Sequence, residues 1–362
     1  MSVRSNIRSL MNRRHFLKAG AAALGAGVAS SYGLSRRATA SGLVLPRDTK
    51  RRRPLQNGKM DRVVASWLPI MQTTAYYVAL EEGLFEEAGI EIESVKFENP
   101  NQIIDSLISG RADFGPPGAA AGIAVLAETR SRGSLKVFGL QGGGIEADRT
   151  NDVLLVPNDS PVTSFADLKG KTIGTVPGIQ WRTITRFLVR QNGLDPDKDV
   201  RVTELAVGLQ MPSVVAGSVD ATLSLEPVGS IASATQQAKR AMINPCSMFI
   251  SDPFYSGASV LSSKFIEERP EVAKRVVEVI DEATRLANED FDTYRPVLAK
   301  YTALEEEQAS YVAQPRLRGF RELDDRDLDS YQKFVNVFSS EGVLKAERDI
   351  NEILLDGSTI GL

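Results

Sequence analysis

From about position 61 onward, short apolar runs alternate with segments whose apolar residues recur every three or four positions, the pattern of strands alternating with helices. Arg62 to Ser66 reads as a strand and is followed by the loop 67–74. A helix is predicted from about Ala75, with Tyr76, Leu80 and Leu84 on one side, ending near Gly83. Ile90 to Glu93 alternates apolar and polar residues as a half-buried strand does. Ile103, Ile104, Leu107 and Ile108 mark a second helix that stops at Gly110, where glycine accepts the left-handed terminal geometry. Arg111 to Gly115 is another short strand, leading into a loop of Pro116, Pro117, Gly118, Ala119 and Ala120.

The same order then returns. Lys171 to Val176 is a strand, 177–180 a loop, Trp181 to Gln191 a helix, Val200 to Leu205 a strand, Pro212 to Ala216 a helix closed by Gly217, and Ser218 to Leu223 a strand that runs into Glu226 and Pro227. The spacing Gly110-x-x-Asp113 recurs as Gly217-x-x-Asp220. A β-α-β-α-β order met twice predicts an α/β protein of two lobes, each an open, mostly parallel sheet flanked by helices, with a ligand cleft between them. The first lobe is assigned to 61–152, the second to 153–249, and 250–362 to a return into the first lobe. Helices over Val272 to Leu286 and Leu328 to Phe338 are expected to form its back. Gln141 to Gly144 reads as the start of the crossing, since no Lys-Ser/Thr follows to make a nucleotide loop. The acidic run Glu305 to Glu307 reads as a solvated helix face.

In such sheets ligands meet the loops at the carboxyl ends of strands and the N–H groups of helix starts. By position the first lobe offers Trp67, Gln72, Thr73 and Thr74, then Pro117, Gly118 and Ala119. The second offers Gly178, Gln180, Trp181, Arg182, Thr183 and Glu226. Trp67 and Trp181 are the chain's two tryptophans; such a pair clamps a flat ring, walls an alkyl pocket, or packs in a core. Arg182 at a helix start suits sulfonate, carboxylate or nitrate, or else water. Glu226 suits an amine or an aminopyrimidine N–H, or an interlobe salt bridge. Small organic anions and heteroaromatic rings both remain open on these residues.

Composition narrows the chemistry. The 362 residues include one histidine, His15, and one cysteine, Cys246. Residues 1–40 carry Arg4, Arg8, Arg13, Arg14, Lys18, Arg36 and Arg37 and no acid; the basic part runs into an Ala- and Gly-rich stretch and ends in Ala38-Thr39-Ala40. These are the parts of a cleavable export signal, and Arg13-Arg14-His15-Phe16-Leu17-Lys18 resembles the twin-arginine motif. Cleavage near Ala40 is expected to release a soluble periplasmic protein, with no cysteine placed for lipid attachment. Residues 41–60, with Arg47, Lys50, Arg51, Arg52, Arg53 and Pro54, read as a linker.

The mature chain would then hold no histidine, which excludes Ser-His-Asp and Cys-His catalysis and imidazole zinc sites. A lone cysteine excludes an intramolecular disulfide or a CxxC pair. No enzyme activity, metal or cofactor is expected. Losing seven basic residues and no acidic ones leaves 36 against 46, a net charge of −10, the wrong sign for nucleic acid.

Val63 to Pro69 followed by Tyr76 to Ile90, together with Ser109-Gly110-Arg111-Ala112-Asp113-Phe114-Gly115 and Ser164 to Gly174, resembles the substrate-binding proteins of ABC importers for nitrate, sulfonates, taurine and thiamine pyrimidine precursors. The resemblance spans roughly 61–340. It implies a periplasmic-binding-protein fold of type II, monomeric, that captures a small solute and delivers it to a membrane permease driven by a cytoplasmic ATPase. A small organic anion of the sulfonate, taurine or nitrate class is the leading expectation for the solute. The alternatives are a heteroaromatic thiamine pyrimidine precursor, or an exported sensor subunit or enzyme on the same fold. One branch of the family, a fungal pyrimidine synthase, is an enzyme that uses a histidine and a cysteine cluster; the mature part of this chain would have neither.

Overall fold

The computed structural model describes residues 59–362 apart from 147 and 303. The leader expected over 1–40 and the linker up to residue 58 lie outside the described residues. The strands, in chain order, are β1 (Asp61–Trp67), β2 (Ile90–Lys96), β3 (Phe114–Ala120), β4 (Leu135–Gly143), β5 (Asp152–Val156), β6 (Thr172–Thr175), β7 (Arg201–Glu204), β8 (Ala221–Leu225), β9 (Lys239–Ile243), β10 (Phe254–Ser262) and β11 (Arg316–Arg318). They form two sheets, ordered β11-β4-β10-β3-β1-β2 and β7-β6-β8-β5-β9.

The sheets are mixed rather than mostly parallel, and the exception follows one rule. β1 pairs in parallel with β2 and β3, and β6 with β7 and β8. β10 lies antiparallel between β3 and β4, and β5 antiparallel between β8 and β9. β10 and β5 are the strands by which the chain enters each sheet from the other one. A strand arriving from the opposite lobe enters at the cleft end, where its neighbours finish, and so must run against them.

The internal repeat is physical. Gly110 and Gly217 both end a helix with positive φ, +69° and +68°. Asp113 then accepts a hydrogen bond from Val64 N in β1 at 2.8 Å, and Asp220 accepts one from Thr172 N in β6 at the same distance. Each carboxylate also has a cation beside it, Arg269 and Lys171 respectively.

The helices Pro270–Glu289 and Asp325–Ser340 are longer than the expected spans and cover the first sheet, the second of them started by a reciprocal Asp324–Asp327 capping box. Pro116, Pro117, Gly118, Ala119 and Ala120 belong to β3, not to a loop after it. The prolines are tolerated because the β3–β10 register slips between Gly115 and Ala119, where they have no N–H to give.

Asp281, on the first of the two long helices, accepts from Phe320 N at 2.6 Å through Oδ1, while its Oδ2 is buried without a partner. Burial pushes its carboxyl up to about 6, against the pull of Phe320 N–H and Arg321. An acid raised by folding costs stability as pH climbs from its unfolded value through about 6, and the full cost stands above that. Asp281→Asn keeps the acceptor and removes the charge. The variant is expected to melt several degrees above the parent at pH 7.5 and equal to it at pH 4, as thermal unfolding across that range would show.

Candidate functional site

Two crossings join the sheets, 144–151 and 244–253, and Asn244 staples them. Its Nδ2 donates to Arg149 O at 2.9 Å, its N to Asp152 O at 2.7 Å, and its Oδ1 accepts from Asn151 N at 2.8 Å. Asp152, fully buried, accepts from Cys246 N at 2.9 Å and Asn151 Nδ2 at 3.0 Å; burial pushes its carboxyl up in spite of both.

Against this junction lies a network of neutral amides and hydroxyls, one member of which, Gln180, joins the two lobes. Gln72, in the turn after β1, donates from Nε2 to Asn151 Oδ1 at 2.6 Å and to Ser256 Oγ at 2.8 Å. Gln180, in the first turn of the second lobe's helix Ile179–Gln191, accepts from Gly122 N at 2.8 Å and donates to Ser256 O at 2.9 Å. Gly122 opens the first lobe's helix Ala121–Glu128, and Ser256 lies in β10, so one amide side chain bridges the cleft at both ends. Gln141 of β4 accepts from Gly118 N at 3.0 Å and donates to Ser259 Oγ at 3.1 Å. All these side chains are buried. Buried amide and hydroxyl groups are stable only when paired. The bonds of Gln141 and the Gln72–Ser256 bond lie within the first lobe, Gln72 also reaches the crossing at Asn151, and Gln180 is the side chain that ties one lobe to the other.

The sequence-predicted residues divide. Gln72, Gln180 and Gly118 belong to this network. Thr73 lies behind Gly118, where a Cβ would come within 2.8 Å of its hydroxyl, and Thr73 and Thr74 spend their hydroxyls on Leu68 O and Met71 O. Gly178 meets the first lobe across the cleft; a Cβ there would stand 3.3 Å from Asn101 Nδ2. Pro117 and Ala119 are buried in β3, with Ala119 paired to Ala258. Thr183 turns its hydroxyl back to Ile179 O.

Neither tryptophan is a free aromatic wall. Trp67 is the last residue of β1; its Nε1 donates to Ser94 Oγ at 2.7 Å and its ring is surrounded by Tyr76, Tyr77 and Tyr301. Trp181 joins Ile184 and Leu188 in the apolar core, a helical i, i+3, i+7 stripe that was legible in the sequence. Arg182 is half exposed and ion-paired with Glu204 at the end of the edge strand β7, 3.3 Å away, so it does not present an unpaired cation. Glu226 points inside its own lobe: Oε2 accepts from Ser230 N at 2.9 Å, and Oε1 lies 3.9 Å from Arg240 without a hydrogen bond. Burial pushes its carboxyl up, with Ser230 and Arg240 pulling the other way. It makes no interlobe salt bridge.

Asn101, Gln141, Asn151 and Ser256 escaped the sequence reading. For Gln141, Asn151 and Ser256 the signal was a lone amide or hydroxyl set in or beside an apolar strand, as in Leu140-Gln141 and Asn151-Asp152-Val153, whereas Asn101 lies in the first turn of the helix Pro100–Ile108. Two surface hollows lie elsewhere, one of about 440 Å³ beside Asn158, Gln236 and Lys239, the other of about 170 Å³ beside Arg149, Asn288 and Arg316. Neither includes a residue of the network. Among the described residues no cluster of His, Cys, Asp and Glu is placed to hold a metal.

Two α/β lobes with a cross-bridged cleft define the periplasmic-binding-protein fold. The chain belongs to the NMT1/THI5-like family, whose profile matches residues 70–292. It is 26% identical over 278 residues to a putative binding protein of Brucella abortus (strain 2308), covering 76% of each chain. It is 27% identical over 219 residues to a putative aliphatic sulfonates-binding protein of Bacillus subtilis (strain 168), covering 59% of this chain and 62% of that one. The crystal structure of the periplasmic aliphatic sulphonate binding protein SsuA of Escherichia coli superposes with a TM-score of 0.66 at 17% identity, over 82% of this chain and 92% of the other. The desulfurization enzyme DSZB has the same fold, with a TM-score of 0.62 at 16% identity over 83% and 97%.

Proposed function

We propose that this protein is the extracytoplasmic solute-binding component of an ABC importer, and that its solute is a small organic anion of the sulfonate, taurine or nitrate class. The observation that carries the reading is Gln180, a buried side chain of one lobe that holds Gly122 and Ser256 of the other. Groups so placed close around a small molecule and report its presence through lobe movement. The sulfonate-binding relatives support the class of solute. The burial of both tryptophans in packed clusters weighs against an aromatic clamp for a pyrimidine. The partners are the solute itself and a membrane permease with its ATPase. Catalysis is not part of the reading. The lone cysteine is fully buried with its thiol pushed up by that burial, the reverse of an activated nucleophile. The binding residues are Gln72, Asn101, Gln141, Asn151, Gln180 and Ser256 rather than Arg182 or Glu226.

Protein starting at Ser41, titrated calorimetrically with taurine, alkanesulfonates, nitrate and pyrimidines, tests this. A micromolar or tighter anion is the expected hit. Gln180→Ala is expected to weaken it about 10- to 100-fold, the effect of unpairing one or two buried groups. Arg182→Ala should leave affinity within about twofold, as loss of an exposed pair does. A pyrimidine as sole hit, or silence across the panel, overturns the proposal.

A further inference from the structure

The helix Ile179–Gln191 carries Arg182, Arg186 and Arg190 at intervals of four, a basic row along one face. Arg182 and Arg186 are held within their own lobe by Glu204 and Asp197, the latter through two bonds of 2.7 and 2.9 Å. Arg190 instead leaves its lobe. Its Nε and Nη2 grip the two carboxylate oxygens of Glu341 at 3.0 and 3.3 Å, and Arg186 Nε stands 4.0 Å from the same group. Glu341 caps the end of the helix Asp325–Ser340, which packs on β10 and on the helix Ala121–Glu128 of the first lobe and also against the second lobe's helix Ile179–Gln191. Its side chain is only 3% exposed although Arg190 is half exposed. One turn earlier on that helix, Phe338 fills the space over Gly122, the residue that Gln180 holds.

We infer that Glu341 is the anchor of an interlobe ionic strap that sets how far the lobes stay closed, acting beside the amide network and independently of the solute. The inference rests on the reading of a hinged solute-binding protein but concerns its ligand-free equilibrium. Both oxygens of a nearly buried carboxylate are engaged by a guanidinium from the other lobe, so separating the lobes on this side must break two charge-assisted bonds together. A carboxylate left without its partner in that position is unfavourable, which makes the contact close to all-or-none. The strap lies outside the cleft, so it shifts the closed population without touching the solute, and thereby scales affinity for every solute alike.

The experiment needs no ligand. Spin labels on Asp105→Cys in the first lobe and Asp159→Cys in the second, both exposed, report the interlobe distance by pulsed electron resonance. Glu341→Gln and Arg190→Gln are each expected to raise the ratio of long to short distances about tenfold, the equivalent of about 1.4 kcal/mol. The double variant should add nothing further, because both changes break one contact. Arg190→Gln alters a half-exposed side chain and provides the folded reference if Glu341→Gln expresses poorly. Unchanged distance distributions in folded Arg190→Gln, or additive effects in the double variant, overturn the strap. Neither result would touch the solute-binding proposal, which is read from the titrations.

Discussion

Asp327→Asn is expected to lower unfolding stability by about 3 kcal/mol or more, the effect of removing one member of a buried ionic cluster. The wild-type carboxylate is fully buried and takes Arg318 Nε at 2.6 Å, Arg316 Nη2 at 3.2 Å and the Tyr255 hydroxyl at 2.5 Å. Arg316 Nε in turn donates to the Tyr255 oxygen at 2.6 Å. The cluster ties β10 and β11 to the start of the helix Asp325–Ser340, where Asp327 also completes the capping box. Burial by itself would raise the Asp327 carboxyl, yet the Tyr255 hydroxyl and the two guanidinium groups hold it below the usual range. A depressed acid contributes stability that is fully present above its unfolded value and lost as pH falls through its folded one. The deficit of Asp327→Asn should therefore be complete at neutral pH and shrink only in acid below about pH 4, where the wild type loses the same contribution. Urea unfolding at pH 7 and at pH 3 measures both; an equal midpoint at pH 7 would show the cluster to be energetically idle.

Gly142→Ala is expected to cost more still, over about 4 kcal/mol, enough to leave little folded protein. A Cβ at Gly142 would stand 1.8 Å from Phe254 O, 2.8 Å from Phe254 C and 2.9 Å from Tyr255 Cα, all backbone atoms. No rotamer relieves such a contact, because β10 is paired on both sides, with β3 and β4, and cannot withdraw. Gly208→Ala is the matching control. Nothing stands within 4 Å of its added Cβ, and Gly208 lies in the helix Val207–Val215, so its substitution should be neutral or stabilising by a few tenths of a kcal/mol. Comparable soluble yield and melting for the two variants would contradict the packing at Gly142.

These two residues show where sequence reading stops. The run Gln141 to Gly144 reads as the start of the crossing to the second lobe. Gln141, Gly142 and Gly143 lie in β4, and Gly142 is glycine so that two backbones can meet. Asp327 lies one position before the helix expected over Leu328 to Phe338 and within the observed helix Asp325–Ser340. Its partners come from 9, 11 and 72 positions away, on strands whose adjacency no local pattern encodes. Arg182 was legible as a cation at a helix start, but Glu204, which neutralises it, sits 22 residues later on a neighbouring strand.

The chain by itself determined the elements and their repetition. Periodicity marked most helices and strands, glycines marked their ends, and Gly110-x-x-Asp113 with Gly217-x-x-Asp220 marked the two lobes, because each of these depends on residues within one or two turns of one another. The tertiary structure alone decided which polar groups face each other. Gln72 meets Ser256 across 184 positions, on the strand that enters the first sheet from the other lobe, and Gln180 meets Gly122 across 58, between helices of opposite lobes. A buried amide has the same local signature whether it faces its own lobe or the opposite one, and only the closure of the two sheets distinguishes the cases.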